Sequence, residues 1–169
     1  YYPNDPASPV RPWDRSRFMR AGEDLISAGK IAAFTVAGGQ GSRLGFDGPK
    51  GKYPAGPISG KPLFRMLAEW VIATERRYAV TVPWYVMTSP INHDETVAFF
   101  EEHGHFGRAP EDTMFFPQGV MPSLDLDTGR LLLTDPATIA TNPDGHGGSL
   151  RALYTSGAID DMRRRGVEH

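Results

Sequence analysis

Two short segments hold the residues best suited to chemistry. Ala37-Gly38-Gly39-Gln40-Gly41-Ser42-Arg43-Leu44-Gly45 follows directly on the apolar run 31–36, and Pro49-Lys50-Gly51-Lys52 comes a few residues later. Eight of the 19 glycines lie from Gly38 to Gly60, so this stretch is built for unusual backbone rather than for packing. Glycines without Cβ let backbone N–H groups converge on anionic oxygens, and Arg43 adds a planar charged fork. The turn residues Asp47-Gly48-Pro49 are expected to hold Lys50 near the loop. Together these parts make a cradle for a polyphosphate, with two cations.

Two well-known phosphate loops do not fit. A P-loop needs G-x-x-x-x-G-K-[ST], but Gly60-Lys61 is followed by Pro62 and Ala55 stands at the first glycine position. The dinucleotide fingerprint G-x-G-x-x-G begins at Gly39 and Gly41, but Leu44 takes the third position. Further along, Gln118 closes a short apolar run. Its amide offers one acceptor and two donors. Gly145-His146-Gly147-Gly148 is a second flexible turn before a helix, with N–H groups that suit an anion.

The elements that must position these residues alternate in type. Residues 14–28 suit a helix capped by Asp14 or Ser16, with Phe18, Ala21, Leu25 and Ile26 on one side. The run 31–36 reads as a strand covered on both faces. Leu63, Phe64, Leu67, Trp70, Val71 and Thr74 recur at helical spacing, and residues 84–88 read as a second buried strand. Asn92 with Glu95 resembles a capping arrangement for a helix running through His103 to Gly104. Residues 114–116 suit a third strand, and 124–126 with 131–133 suit a hairpin turning at Gly129. Helices are expected around 149–155 and 157–165. Trp70, Phe99 and Phe100 are expected in the core.

Strands alternating with helices indicate an α/β fold with a mainly parallel sheet flanked by helices. Its ligands are expected at the carboxyl ends of the strands, where the glycine loop sits. Three clear strands make a thin sheet, and the helix closing at Gly166 is expected to feed a further one. Residues 1–30 read as an N-terminal arm and helix, and 31–169 as one nucleotide-binding unit.

Composition bounds the function. The 169 residues suit one domain, with a net charge of −2 and an isoelectric point near 6.2, where a nucleic-acid binder would carry a basic excess. With no cysteine, disulfides, thiolate zinc sites and cysteine nucleophiles are excluded. No run reaches the roughly 20 apolar residues of a membrane span, so no membrane partner is expected and a cytoplasmic location is the default. The histidines His93, His103 and His105 match no zinc spacing. Arg163-Arg164-Arg165 is expected to complement a helix C-terminus.

The loop 37–45 with Pro49-Lys50-Gly51 resembles the signature of the UTP-dependent sugar-1-phosphate uridylyltransferases, which include the UDP-N-acetylglucosamine, UDP-glucose and UDP-sugar pyrophosphorylases. Three further segments match in order: Trp84-Tyr85-Val86-Met87-Thr88-Ser89, Phe115-Phe116-Pro117-Gln118-Gly119, and Asn142-Pro143-Asp144-Gly145-His146-Gly147-Gly148. The resemblance implies a Rossmann-like nucleotide-diphospho-sugar transferase fold, incomplete in this chain. It implies UTP and a sugar 1-phosphate as partners, with N-acetylglucosamine 1-phosphate or glucose 1-phosphate as the sugar. By the same resemblance, Ala37, Gly38, Gly39 and Gly145 contact the uridine, and Gln118 reads the uracil edge. Arg43 holds the departing pyrophosphate, and Lys50 stabilises charge around the α-phosphate. His146 contacts the sugar or its phosphate; the N-acetylglucosamine branch usually has Asn there and the glucose branch His. The family needs Mg²⁺, whose ligand Asp is expected beyond residue 169, so this piece is expected not to turn over alone. Two other readings are a non-catalytic nucleotide-sugar-binding module and a P-loop-like nucleoside triphosphatase.

Overall fold

The computed structural model describes residues 14–145 and 147–169. The arm expected over 1–13 and the histidine at position 146 lie outside the described residues.

The chain folds around three parallel strands in the order β1-β2-β3. These are β1 (Ala33–Val36), β2 (Trp84–Thr88) and β3 (Thr113–Pro117). Ala33 pairs with Trp84, and Trp84 in turn with Thr113, so all three carboxyl ends emerge on one side. Parallel neighbours need crossover connections, which the helices supply. Between β1 and β2 runs α2 (Leu63–Tyr78), and between β2 and β3 runs α3 (His93–Glu102). Before β1 lies α1 (Arg15–Ser27), capped by the Asp14 carboxylate, which accepts from Arg17 N at 2.9 Å.

Period-two alternation splits β2 between two cores. Trp84 and Val86 pack with Phe64, Ala68, Phe99, Phe100 and Phe106 under α2 and α3. Tyr85 and Met87 face the other way, onto Phe116, Ala152, Leu153 and Ala158. The last three come from α4 (Gly148–Thr155) and α5 (Ala158–Arg164). Every residue of β2 is buried, as a central parallel strand requires.

Four expectations are corrected. β1 is not covered on both faces: Phe34 is 40% and Val36 41% exposed. It is an edge strand, and α4 and α5 lie over β2 and β3. Trp70 is 68% exposed rather than core. The buried side of α2 follows Phe64 and Ala68, with Leu67 and Val71 at its margin, and Trp70 points off that stripe.

The hairpin at Gly129 shrinks to a single Leu124–Leu131 bridge. The ladders in that region are instead β4 (Val120–Pro122) with β7 (Thr141–Pro143), and β5 (Leu133–Asp135) with β6 (Thr138–Ile139). All of these strands are exposed, so no buried face imposed the leucine pattern on the pairing. Last, Asn92 stands at the N-cap of α3 but makes no capping bond, and Glu95 binds Lys52 instead, at 2.6 Å.

Arg163 and Arg164 pair with Asp160 and Asp161 on their own helix. Arg165 reaches Asp161 and, across to the start of β3, Asp112. Residues 168 and 169 hydrogen-bond back to Lys30 and Ala32, just ahead of β1.

Candidate nucleotide site

The site gathers at the carboxyl end of the sheet. β1 hands the chain to Ala37, whose N–H donates to Met87 O at 2.6 Å, so the glycine loop departs from a point fixed against β2. The loop then folds back on itself. Gly41 N donates to Gly48 O at 2.8 Å and Lys50 N to Gly39 O at 3.0 Å, closing a bridge between Gln40 and Pro49. That closure is what brings Lys50 to the loop. Its ammonium passes 3.8 Å from where a side chain on Gly39 would begin.

From the other side comes Gln118. Its N–H donates to Thr88 O at 2.8 Å, which carries it one step past the end of β3. Gln118 is nearly buried, yet its amide lies on Gly38, with Nε2 2.7 Å from where a Cβ there would stand. Only glycine leaves room for this approach.

Among the described residues, the Gln118 amide and the N–H groups of Gly38 and Gly39 have no hydrogen-bond partner. Gly38 is half-buried and Gly39 exposed, so these donors and acceptors open to solvent and are free to meet a ligand.

The β4–β7 ladder brings the second flexible turn alongside. Val120 pairs with Pro143, and Asp144 N donates to Gly119 O at 3.1 Å, so Gly145 (φ +71°) stands beside Gln118-Gly119. Asp144 contacts Gly119 and Gly148, and one of its buried carboxylate oxygens is unpartnered.

Of the residues singled out in the sequence, the fold thus brings together Ala37, Gly38, Gly39, Lys50, Gln118 and Gly145. Arg43 sits on the exposed turn Ser42–Leu44, without an ion pair among the described residues. His146 lies outside the described residues. Lys50 likewise has no carboxylate partner, whereas its neighbour Lys52 is held by Glu95.

Sequence reasoning passed over Asn92, which reads as a helix cap, and Asp144, which is one polar residue inside a glycine-rich motif. Neither carries a signal in one dimension, because each acts on backbone far away or across a ladder.

The described residues contain no group of three or more His, Cys, Asp or Glu able to hold a metal ion. No helix among them is long and apolar enough to cross a membrane.

The chain is 40% identical over 157 residues to the UDP-N-acetylglucosamine pyrophosphorylase of Saccharomyces cerevisiae, covering 91% of this chain and 33% of that protein. It is 40% identical over 168 residues to the human UDP-N-acetylhexosamine pyrophosphorylase-like protein 1, covering 96% and 33%. The chain therefore spans about a third of the length of the curated relatives it matches.

Among solved structures, the uridine diphosphate N-acetylglucosamine pyrophosphorylase of Trypanosoma brucei, in complex with an inhibitor, superposes with a TM-score of 0.77. That match has 31% identity over 90% of this chain and 34% of that one. The UDP-glucose pyrophosphorylase of Leishmania major shares the fold at a TM-score of 0.63 and 20% identity, over 85% and 30%. The sheet and its helices are therefore part of a nucleotide-diphospho-sugar transferase fold. Residues 14–169 match the family described as UTP–glucose-1-phosphate uridylyltransferase, and the chain belongs to that family.

Proposed function

We propose that residues 31–169 form the nucleotide-binding half of a uridylyltransferase. It makes UDP-sugar and pyrophosphate from UTP and a sugar 1-phosphate, either N-acetylglucosamine 1-phosphate or glucose 1-phosphate. The observation that carries the reading is the unpaired Gln118 amide laid on Gly38, with the Lys50 ammonium beside Gly39. A pyrimidine edge pairs with the amide, the ribose and backbone meet at the free N–H groups of Gly38 and Gly39, and the phosphates run toward Lys50.

In the reaction a phosphate oxygen of the sugar 1-phosphate bonds to the α-phosphorus of UTP. The bond from that phosphorus to the β-phosphate oxygen breaks, and pyrophosphate leaves with the electron pair. No covalent protein intermediate is needed, so the protein contributes position and charge. Lys50 stabilises the charge building around the α-phosphorus, and Arg43, on its exposed turn, takes the departing pyrophosphate. Mg²⁺ would neutralise the phosphates in such a reaction. Among the described residues, no group of three or more His, Cys, Asp or Glu offers a donor set for it. The sugar side is assigned to His146, and the place of work to the cytoplasm.

A P-loop role for Lys61 finds no support, because both carboxylate oxygens of Glu69 hold its ammonium at 2.8 Å.

Titration calorimetry of the chain with UTP and with ATP tests the reading. UTP is expected to bind at least about tenfold more tightly, a difference of about 1.4 kcal/mol. Equal affinities would show generic phosphate binding and overturn it. Turnover of the two sugar 1-phosphates by active enzyme then decides the sugar; equal rates would mean that His146 does not select.

A further inference from the structure

Asn92 is fully buried, and its side chain does something other than cap α3. Its Oδ1 accepts from Ser89 N at 2.8 Å, which leaves Nδ2 to donate to Ala37 O at 3.1 Å, 55 residues away in sequence. Both ends of the amide are thereby used, and its orientation is set by a donor on one side and an acceptor on the other.

Ala37 is then gripped twice, by Met87 O on its N–H and by Asn92 on its carbonyl. The Ala37–Gly38 peptide is planar and trans, so holding the carbonyl fixes the direction of the Gly38 N–H on its far side. That N–H is one of the unpaired donors beside the Gln118 amide. Glycine on its own would let this peptide rotate, since residues without Cβ have wide φ/ψ freedom. A buried amide that removes the freedom contributes preorganisation rather than contact.

We propose that Asn92 is a positioning residue for base recognition: through the Ala37 carbonyl it aims the Gly38 N–H at the uridine, without touching the nucleotide itself. This rests on the uridine reading above. A purely structural Asn92 would lower stability and weaken all ligands alike. A positioning Asn92 affects the nucleoside end and spares the phosphate end.

The test compares uridine 5′-monophosphate with inorganic tripolyphosphate as probes, by calorimetry on the full chain. Asn92→Asp, measured at about pH 8 where a carboxylate is ionised, keeps the acceptor for Ser89 N but sets an oxygen against Ala37 O. The uridine monophosphate affinity is expected to fall at least about tenfold, and the tripolyphosphate affinity to change less than about twofold.

Asn92→Ser keeps a hydroxyl acceptor but is too short to reach Ala37, so it is expected to give the same split. It stands in if the first variant does not fold. Equal loss for both probes, unchanged uridine affinity, or failure of both variants to fold would overturn the positioning role. If the unsubstituted chain binds UTP and ATP equally, the uridine reading falls and this role with it. Discrimination in the unsubstituted chain that persists in Asn92→Asp removes this role only.

Discussion

The side-chain amide of Gln118 lies over Gly38, reaching across the carboxyl end of the central strand that separates β1 from β3. Two residues 80 positions apart thus form one wall of the candidate site. A methyl group on Gly38 would stand 2.7 Å from the Gln118 nitrogen, closer than real contacts come, and 3.1 Å from its carbonyl carbon, tighter than most. Gly38→Ala is therefore expected to push the amide aside. The affinity for uridine nucleotides should drop about tenfold or more, with tripolyphosphate binding nearly unchanged. Gln118→Ala should remove the preference for UTP over ATP, losing about 1–2 kcal/mol. Calorimetry with the three ligands checks both, and a preserved preference in both variants would refute the wall.

Under the proposed uridylyltransferase reading, Lys50 acts at the phosphates rather than at the base. In active enzyme that contains this chain, Lys50→Ala is expected to lower kcat about 10²–10³-fold with UTP and sugar 1-phosphate, the size of effect seen when a preorganised charge is removed. The Kd for UTP should change only a few-fold. Steady-state kinetics paired with direct binding separates the two, and comparable losses would contradict a transition-state role.

Gly51 lies under the Phe64 ring, so close that a Cβ there would occupy the ring's own edge. Phe64 is itself buried against Phe99 and Phe100, with ring centroids 6.1 and 5.1 Å away, and cannot retreat. Gly51→Ala should cost about 1–3 kcal/mol as overpacking. For a chain of this size that lowers Tm by about 2–4 °C per kcal/mol. Adding Phe64→Leu should recover part of the loss. Thermal melting of the two variants decides this.

The pH dependence of stability has a local source at both extremes. Burial alone would raise the Asp161 carboxyl, but hydrogen bonds from the Tyr85 hydroxyl and the Arg165 guanidinium outweigh it and hold the carboxyl below its ordinary value. A folded value below the unfolded one gives stability that is present above about pH 4 and fades as the pH falls through the folded value.

Burial first, and then the bond to Asp161, push the Tyr85 hydroxyl well above its ordinary value. That contribution is intact below about pH 10 and fades as the pH rises through the folded value. Urea midpoints across both limbs should flatten on the acid side in Asp161→Asn and on the alkaline side in Tyr85→Phe.

Much of the sheet was legible beforehand because its signals are local. The unbroken apolar run at 84–88 marked the central strand, and residues 63–74 marked the crossover helix through their 3.6-residue rhythm. Gly104 and Gly166, at φ +55° and +76°, marked where helices end. The exposed ladders over 120–143 were not legible. Their leucines alternate, but no buried face selects a register there, so the pattern pointed to a hairpin that the fold reduces to one bridge. Trp70 misled in the same way, since helical spacing names a stripe but not its edges.

The sequence by itself determined the chemistry on offer at the site: a glycine loop after an apolar strand, a lysine held near it by a turn, and a glutamine closing the third strand. Residue type and short spacing are enough for that, because backbone freedom, charge and hydrogen-bonding capacity belong to the residues themselves. Only the tertiary structure decided that the Gln118 amide faces Gly38 and that Asn92 grips Ala37 instead of capping its helix. Those are relations between segments tens of residues apart. They are set by how parallel strands register and how side chains fill the space above their ends, which no local pattern encodes.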